Sequence, residues 1–315
     1  MEKDRVKFGL SLNVNDPVLD SLSKSVEAER LGLDHIWVSD LASQRYAPVV
    51  ASAVASTTSK IRIGLGLMSP FLHTAQQIAS SLTTLIESYG GRFDLCIGPG
   101  DRDELRRAGV DLDAHKGIPQ YLLKARREIS EILKDRDIEC KIWLGAQGPE
   151  LLKIASSFDG VLLNYASPVM IEWALKVIGE GPAERPNSIG ISAASYIYDK
   201  FKPEIHRILR FASATVALGA SSYVLRKFSL AEALEPALQQ LQARPLDSSI
   251  LKLVPSDIIE RFCILKSQSE LPKYIDELKR LGVQQIVFSY PQGYSTQTIK
   301  ELAAGLTGVR RQHTQ

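Results

Sequence analysis

The amino-acid sequence predicts a (β/α)₈ barrel of the TIM-barrel class, built as a single domain over residues 1–315. Short apolar runs rich in β-branched residues alternate with longer segments of helical period, as expected of parallel strands joined by crossover helices. Eight such runs can be counted, which is the number that closes this kind of barrel. Because 44% of the residues are hydrophobic, the chain can also bury the large core that a barrel requires.

The predicted strands and helices follow one another in a regular order. The strands cover residues 6–12, 35–39, 61–67, 92–98, 141–145, 160–164, 189–196 and 284–289. The first helix, residues 17–31, has clear start and stop signals: Asp16 is the expected N-cap, Pro17 occupies the first turn, and Gly32 ends the helix. The other crossover helices cover residues 74–88, 118–135, 149–157, 169–179, 271–281 and 295–306.

A long segment separates the seventh predicted strand from the eighth. Helical patterns in it cover residues 202–217, 222–243 and 255–266. Because no repeat, low-complexity stretch or interdomain linker accompanies these helices, we interpret residues 201–268, approximately, as a helical insertion after strand seven rather than a second domain.

Composition narrows the functional class. The 38 basic and 36 acidic residues are spread along the chain, so no charged surface predicts binding to nucleic acid or to an anionic membrane. Three widely spaced cysteines without a CxxC pair predict neither a disulfide framework nor a metal site. The chain shows no N-terminal apolar signal segment and no apolar run near the roughly 20 residues of a membrane span. We therefore expect a cytoplasmic protein that acts on a small molecule.

In a barrel of this class, ligands and catalytic groups belong to the loops that follow the strands. The loop after the fifth strand is the best candidate for binding an anion. Gly145 and Gly148 allow the backbone to approach a ligand closely, and Pro149 opens a helix whose free N–H groups face that ligand. An ordinary tight turn has the same pattern, so a phosphate site and a simple turn both remain open.

The loop after the fourth strand offers a carboxylate beside two small residues. Gly98 and Gly100 can admit a flat ring, and Asp101 can take part in proton transfer or hydrogen bonding. The alternative is that Asp101 caps a short helix through Leu105.

A second carboxylate, Asp40, follows the apolar second strand and is expected at its mouth. Helix capping or a structural ion pair is the alternative for this residue. His35 and His73 are assigned no role, since single histidines without partners are more often plain core or surface residues.

These motifs, in this order, resemble those of the luciferase-like barrel superfamily, and within it the coenzyme F420-dependent methylenetetrahydromethanopterin reductases. The similarity extends over most of the chain, and two strings, Ile97-Gly98-Pro99-Gly100-Asp101 and Gly145-Ala146-Gln147-Gly148-Pro149, favour the reductases over the flavin monooxygenases. The other matching strings are Lys7-Phe8-Gly9-Leu10, Ile36-Trp37-Val38-Ser39-Asp40, Ile61-Arg62-Ile63-Gly64-Leu65-Gly66, Gly90-Gly91-Arg92-Phe93 and Gln285-Ile286-Val287-Phe288-Ser289.

The resemblance implies a set of site residues. The residues expected to bind the cofactor are Ser39, Asp40, Gly66, Leu67, Gly98, Gly100, Gly145, Ala146, Gln147 and Gly148, with the last four holding its phosphate. A non-proline cis peptide is expected near Gly66-Leu67, behind the ring. Asp101 is the acidic group that we expect to be catalytic, and Ser11, at the position of the reductases' glutamate, is the second catalytic position.

The chain departs from the reductase pattern at three places. Ser11 stands where the reductases have a glutamate that is thought to donate a proton, and a hydroxyl cannot serve as a general acid of matched pKa. Leu41 replaces a common histidine, and the usual Arg-His-Pro segment has become Leu72-His73-Thr74. These changes predict a different substrate, or a homologue that keeps the cofactor without the parent activity.

The expected activity is hydride transfer between coenzyme F420 and a small substrate. The alternatives are an FMN-dependent luciferase-like monooxygenase, which needs the same phosphate site, and a non-catalytic flavin-binding homologue. The long insertion and the apolar helix at residues 49–55 leave room for a homo-oligomer, either a dimer or a tetramer.

Overall fold

A computed structural model describes residues 5–13, 15–41, 43–112, 117–181, 186 and 188–312. Its strands are β1 Lys7–Leu12, β2 His35–Val38, β3 Arg62–Met68, β4 Phe93–Ile97, β5 Lys141–Ala146, β6 Gly160–Leu163, β7 Ile189–Tyr198, β8 Cys263–Ser267 and β9 Gln285–Ser289. Its helices are α1 Val18–Arg30, α2 Ala47–Thr57, α3 Ala75–Tyr89, α4 Arg102–Arg107, α5 Ile118–Lys134, α6 Pro149–Leu152, α7 Pro168–Gly179, α8 Pro203–Leu218, α9 Ser222–Lys227, α10 Ala231–Leu241, α11 Ser248–Leu251, α12 Ser256–Glu260, α13 Leu271–Arg280 and α14 Thr296–Gln312. No helix in this described part is long and apolar enough to cross a membrane.

Eight parallel strands close into a barrel. Strands β1 to β6 pair in chain order, β1 also pairs with β9, and β7 pairs with both β9 and β6. Helices lie between successive strands, so the predicted (β/α)₈ barrel is confirmed.

One strand, β8, is additional to the eight of the barrel and was not predicted from the sequence. Residues 255–266 were expected to be helical, but α12 ends at Glu260 and Cys263–Ser267 forms a strand. The periodicity of a short apolar run does not distinguish a helix from a strand. Such a run becomes a strand when it can pair with the edge of a neighbouring strand. That edge belongs to β7, which extends beyond the predicted strand to Tyr198 and pairs its last residues with β8. The interpretation of residues 201–268 as an insertion in one barrel domain stays a prediction.

Three other expectations about helices are corrected. The predicted helix at 222–243 is divided into α9 and α10 at Ser229, whose φ of 55° a continuous helix cannot contain. Asp16 does not cap α1; its carboxylate instead accepts a hydrogen bond from Lys24 at 2.5 Å, and the helix begins at Val18. The helix predicted at 149–157 is the short α6 followed by a separate 3₁₀ turn at Ala155–Ser157.

The barrel interior is filled by a small cluster that is separate from the main core. Its members are Trp37, Cys96, Trp143, Leu162 and Val287. Trp37 on β2 and Trp143 on β5 have ring centroids 6.3 Å apart, although their strands are not neighbours in the sheet. Only side chains that point into the barrel can meet in this way. The cluster therefore identifies the inward-facing positions of these strands.

A charged layer lies below this cluster, toward the N-terminal ends of the strands. His35 lies two residues before Trp37, and Asp94 lies two residues before Cys96. Side chains two residues apart on a strand point to the same face, so His35 and Asp94 also face the barrel interior. Arg62 donates two hydrogen bonds to Asp94, at 3.0 and 2.8 Å, and His35 Nε2 lies 3.4 Å from the same carboxylate. Burial acts to raise the pKa of Asp94, but the hydrogen bonds and charges of these two partners outweigh it and lower the pKa to about 2.

Candidate active site

The inner rim of the barrel mouth is built from small and hydroxyl-bearing residues. Positions two residues beyond the interior cluster face the same way, one layer closer to the C-terminal ends of the strands. They are Ser39, Gly98, Gly145, Asn164 and Ser289. Ser11 joins them, with its Oγ 3.4 Å from Ser39 Oγ, and Ser192 lies opposite with its Oγ 3.0 Å from Ser289 Oγ. The rim is therefore polar and uncharged at these positions.

Leu67 crosses this rim from β3. The peptide bond between Gly66 and Leu67 is cis, as expected from the sequence, and the register of β3 against β4 shifts between Leu65 and Met68. The side chain of Leu67 lies over two glycines: a β-carbon added to Gly98 would come within 2.4 Å of it, and one added to Gly145 within 2.3 Å. Only glycine leaves space for Leu67 at these two positions.

The loop after β4 brings Gly100 against the loop after β3. Gly100 has a φ of +96°, which favours glycine, and a β-carbon there would lie 3.2 Å from Ser69 Cβ. Ser69 in turn donates a hydrogen bond from its Oγ to the Pro99 carbonyl at 2.6 Å. These contacts hold the two loops together beside the rim.

Asp101 lies outside the rim. Its side chain is exposed, and Oδ1 accepts a hydrogen bond from the Glu104 backbone N–H at 3.0 Å at the start of α4. This is the capping arrangement that the sequence left open as an alternative. The catalytic role of Asp101 stays a prediction.

The loop after β5 combines a fixed backbone with a free donor. The Tyr165 hydroxyl donates to the Gln147 carbonyl, and the side-chain Nε2 of Gln147 is buried with no hydrogen-bond partner in the described structure. Gly148 immediately precedes α6 and faces Ser221, whose Oγ would lie 3.5 Å from a β-carbon on the glycine. Burial raises the pKa of Tyr165, so its phenol remains a donor at neutral pH. An unpartnered amide beside a glycine-lined backbone fits an anionic group, such as a phosphate.

Asp40 and His73 form a pair that the sequence analysis did not predict. His73 Nε2 lies 2.7 Å from Asp40 Oδ2, and Asp40 Oδ1 accepts a hydrogen bond from the Ala47 backbone N–H at 3.2 Å. Asp40 therefore holds the start of α2 and also an imidazole from the next loop. The sequence contained a signal for this pair. Asp40 and His73 follow neighbouring parallel strands, β2 and β3, whose carboxyl ends meet at the same edge of the sheet.

Comparisons with known proteins give one consistent result. A family model described as luciferase-like monooxygenase matches residues 19–118. The chain is 26% identical to 5,10-methylenetetrahydromethanopterin reductase of Methanolobus tindarius, over 96% of this chain and 98% of that protein. It is 28% identical to the protein of the same name from Archaeoglobus fulgidus, over 91% of this chain and 94% of that one.

A solved structure agrees with these matches. The coenzyme F420-dependent tetrahydromethanopterin reductase of Methanopyrus kandleri superimposes with a TM-score of 0.78 and 23% identity, over 95% of this chain and 97% of that chain. The fold is that of the luciferase-like barrels. The resemblance predicted from the sequence is therefore confirmed.

The structure places the predicted site residues in several parts of the barrel mouth. Ala146, Gln147 and Gly148 lie at the end of β5 and before α6. The inner rim brings together Ser11, Ser39, Leu67, Gly98 and Gly145. Asp40 and Asp101 instead bond to the starts of helices α2 and α4. The binding of a cofactor by these residues stays a prediction.

A groove on the described surface lies elsewhere. It has a volume of about 780 Å³ and runs along the outside of the barrel, beside Trp173 on α7, Phe228 after α9 and Arg280 on α13. None of the predicted site residues lines it. Because its lining comes from the outer helices and includes no loop residue of the predicted site, this groove does not replace the barrel mouth as the candidate site.

Proposed function

We propose that the protein is an oxidoreductase that transfers a hydride between coenzyme F420 and a small substrate, in the manner of the methylenetetrahydromethanopterin reductases. The observation that carries this proposal is the match to two curated reductases over more than nine-tenths of the chain, at 26% and 28% identity. The barrel mouth supports it, because its residues fit a flat ring whose side chain bears a phosphate.

The fit begins at the phosphate. Gly145, Ala146, Gln147 and Gly148 would hold that group, with the buried and unpartnered Gln147 amide as a donor that the folded chain leaves unsatisfied. An unsatisfied buried donor costs about 1–3 kcal/mol, and a bound phosphate oxygen would remove that cost. When bound, F420 supplies a ring carbon that carries a hydride.

The rim residues would position the ring. Leu67 covers Gly98 and Gly145 on one side, so it closes that side with an apolar surface. Ser11 and Ser39 present hydroxyls that can hydrogen-bond to ring or substrate atoms without adding charge. Together these residues would orient the two reactants and exclude water between them, which is the main contribution of a protein to hydride transfer.

A second candidate is an FMN-dependent monooxygenase. The family model that matches residues 19–118 is described as a luciferase-like monooxygenase. FMN, like F420, bears a phosphate on the side chain of its ring. A non-catalytic flavin-binding homologue would use the same site without turnover. Both candidates differ from the main proposal in the cofactor or in the chemistry.

A paired titration with F420 and FMN tests the cofactor. The purified protein is titrated with each under identical conditions, and cofactor fluorescence and thermal stabilisation are followed. We expect F420 to bind selectively. Selective binding of FMN would transfer the protein to the monooxygenases, and binding of neither would contradict the enzyme proposal.

A substitution at the rim tests the substrate. Reduction of methylenetetrahydromethanopterin by reduced F420 is measured for the wild type and for Ser11→Glu, which restores the carboxylate of the reductases. If F420 binds to both proteins and neither reduces the pterin, the pterin assignment is wrong while the cofactor assignment stands. A homo-oligomeric state and a cytoplasmic location complete the proposal and are tested by light scattering and by cell fractionation.

A further inference from the structure

The Asp40–His73 pair has the geometry of a supported acid–base group. The Asp40 side chain is only 3% exposed, whereas that of His73 is 20% exposed. Both Asp40 oxygens are occupied, one by Ala47 N–H and the other by His73 Nε2. No described residue takes the other ring nitrogen of His73, Nδ1. A buried carboxylate therefore fixes one side of an imidazole whose other side is free to meet a ligand.

The loop that carries His73 contacts the predicted ring site. His73 is in the loop after β3, and its backbone N–H donates to the Ser69 carbonyl at 3.0 Å. Ser69 is the residue whose Cβ lies 3.2 Å from the β-carbon position of Gly100. The chain of contacts from Asp40 through His73 and Ser69 thus reaches Gly100, which the sequence assigns to the cofactor.

Groups from α2, α3 and α4 are described around this imidazole. The Tyr46 ring at the start of α2 is 5.5 Å away between centroids, and its hydroxyl pairs with Ser81 on α3. From α4, Glu104 binds the Ser43 backbone N–H and also pairs with Arg107. The rim itself presents serine hydroxyls. Asp40–His73 is therefore the histidine–carboxylate pair that the described chain places at the C-terminal end of the barrel, since His35 and Asp94 lie at the other end.

We infer that His73, supported by Asp40, is the proton donor of the hydride transfer proposed above, and the inference rests on that proposed function. The substrate carbon receives the hydride with both electrons as its bond to the heteroatom breaks, and that bond's electron pair moves to the heteroatom. The bond is the π bond of a C=O or C=N group, or one C–N bond of a methylene that bridges two nitrogens, as in methylenetetrahydromethanopterin. The Nδ1–H bond of His73 breaks as the heteroatom takes the proton. Bound reduced F420 would supply both the hydride and one proton per turnover, and His73 would regain its proton from the latter through water.

The first test locates His73 relative to the cofactor without any turnover. The five histidines are labelled with ¹³C in the ring, and His73→Gln identifies the signal of His73. With F420 at a saturating level, confirmed by fluorescence, we expect the His73 signal to shift and that of His206, on α8 in the insertion, to stay. An unchanged His73 signal with F420 bound overturns the inference, whereas absence of F420 binding refutes the proposed function instead.

The second test separates proton donation from structural support. Reduced F420 and methylenetetrahydromethanopterin are the assay pair, and His206→Gln is the matched control. Because glutamine can still hydrogen-bond to Asp40, His73→Gln keeps the support and removes the proton. We expect kcat to fall about 100-fold or more with the KM for F420 little changed. We also expect kcat/KM to fall at high pH in the wild type and to show no such fall in His73→Gln.

Two further variants complete this second test. Asp40→Asn should lower kcat as well, since an asparagine amide no longer stabilises a charged imidazole. Added imidazole should partly restore kcat in His73→Gly. A His73→Gln protein with wild-type kcat and pH profile would show that the pair only ties the loop after β3 to α2, and the inference would be wrong.

Discussion

A terminal methyl group of Leu67 lies so close to Gly145 that a β-carbon on the glycine would come within 2.3 Å of it. The two residues come from strands β3 and β5, and together they form one wall of the barrel mouth. Gly145 is thus required by a contact across the mouth as well as by the loop that follows it.

The first prediction concerns this contact. Gly145→Ala should displace Leu67 into the mouth and weaken F420 binding about tenfold, equivalent to about 1.4 kcal/mol. Since the displaced atom is the end of a flexible side chain, the fold should persist. Fluorescence titration measures the affinity, and Gly91→Ala, with no atom within 4 Å of its β-carbon position, is the control. Equal affinities of the two variants for F420 would contradict the proposal that the contact between Leu67 and Gly145 shapes the cofactor site.

The second prediction concerns Gly64, against which the Trp37 indole packs. A β-carbon there would lie 2.3 to 2.6 Å from three atoms of a buried, rigid ring. Gly64→Ala should lower the free energy of unfolding by about 1–3 kcal/mol, because the core must shift to admit it. Urea unfolding measures the change. A loss no larger than that of Gly91→Ala would show that the interior is looser than the structure indicates.

The third prediction concerns acid stability. The folded-state pKa of Asp94 is about 2, below its ordinary 3.8, so the native state favours the charged form. The resulting stabilisation, about 2 kcal/mol, is complete above pH 4 and is lost as the pH falls through 2. Asp94→Asn should lower the unfolding free energy at pH 7 by about 3 kcal/mol, since it leaves Arg62 and His35 without their buried partner.

The comparison across pH isolates the role of Asp94. Unfolding free energies at pH 7, 4 and 2 should fall more steeply for the wild type than for Asp94→Asn. Asp135→Asn, a change at an exposed carboxylate, should leave the wild-type pH profile in place. Parallel profiles for the wild type and Asp94→Asn would show that other carboxylates govern acid unfolding.

The fourth prediction concerns Tyr165, whose hydroxyl holds the Gln147 carbonyl. Tyr165→Phe should cost about 1 kcal/mol of stability and should weaken F420 binding several-fold, because the loop after β5 loses its anchor. Tyr274→Phe is a matched control: its hydroxyl also donates to a backbone carbonyl, that of Ala166 at 2.7 Å, away from the loop. The two variants should lose similar stability, and only Tyr165→Phe should lose affinity.

The sequence by itself determined the barrel and the positions of its loops. Periodicity identified the eight strands that close it, because alternating apolar runs and helical segments are local properties of the chain. The position of the cis peptide at Gly66-Leu67 followed from family motifs, since such a bond leaves no local pattern. Turn residues likewise identified the loop at residues 145–148 as a place where the backbone can approach a ligand.

Only the tertiary structure decided which residues meet. The strand β8 forms because it pairs with β7. The local sequence of a short apolar run does not predict which strand it will pair with. The pairing of Asp40 with His73 depends on the register between β2 and β3 and on the rotamers of two side chains 33 residues apart. Such contacts depend on distances between residues far apart in the chain, and local pattern and propensity do not encode those distances.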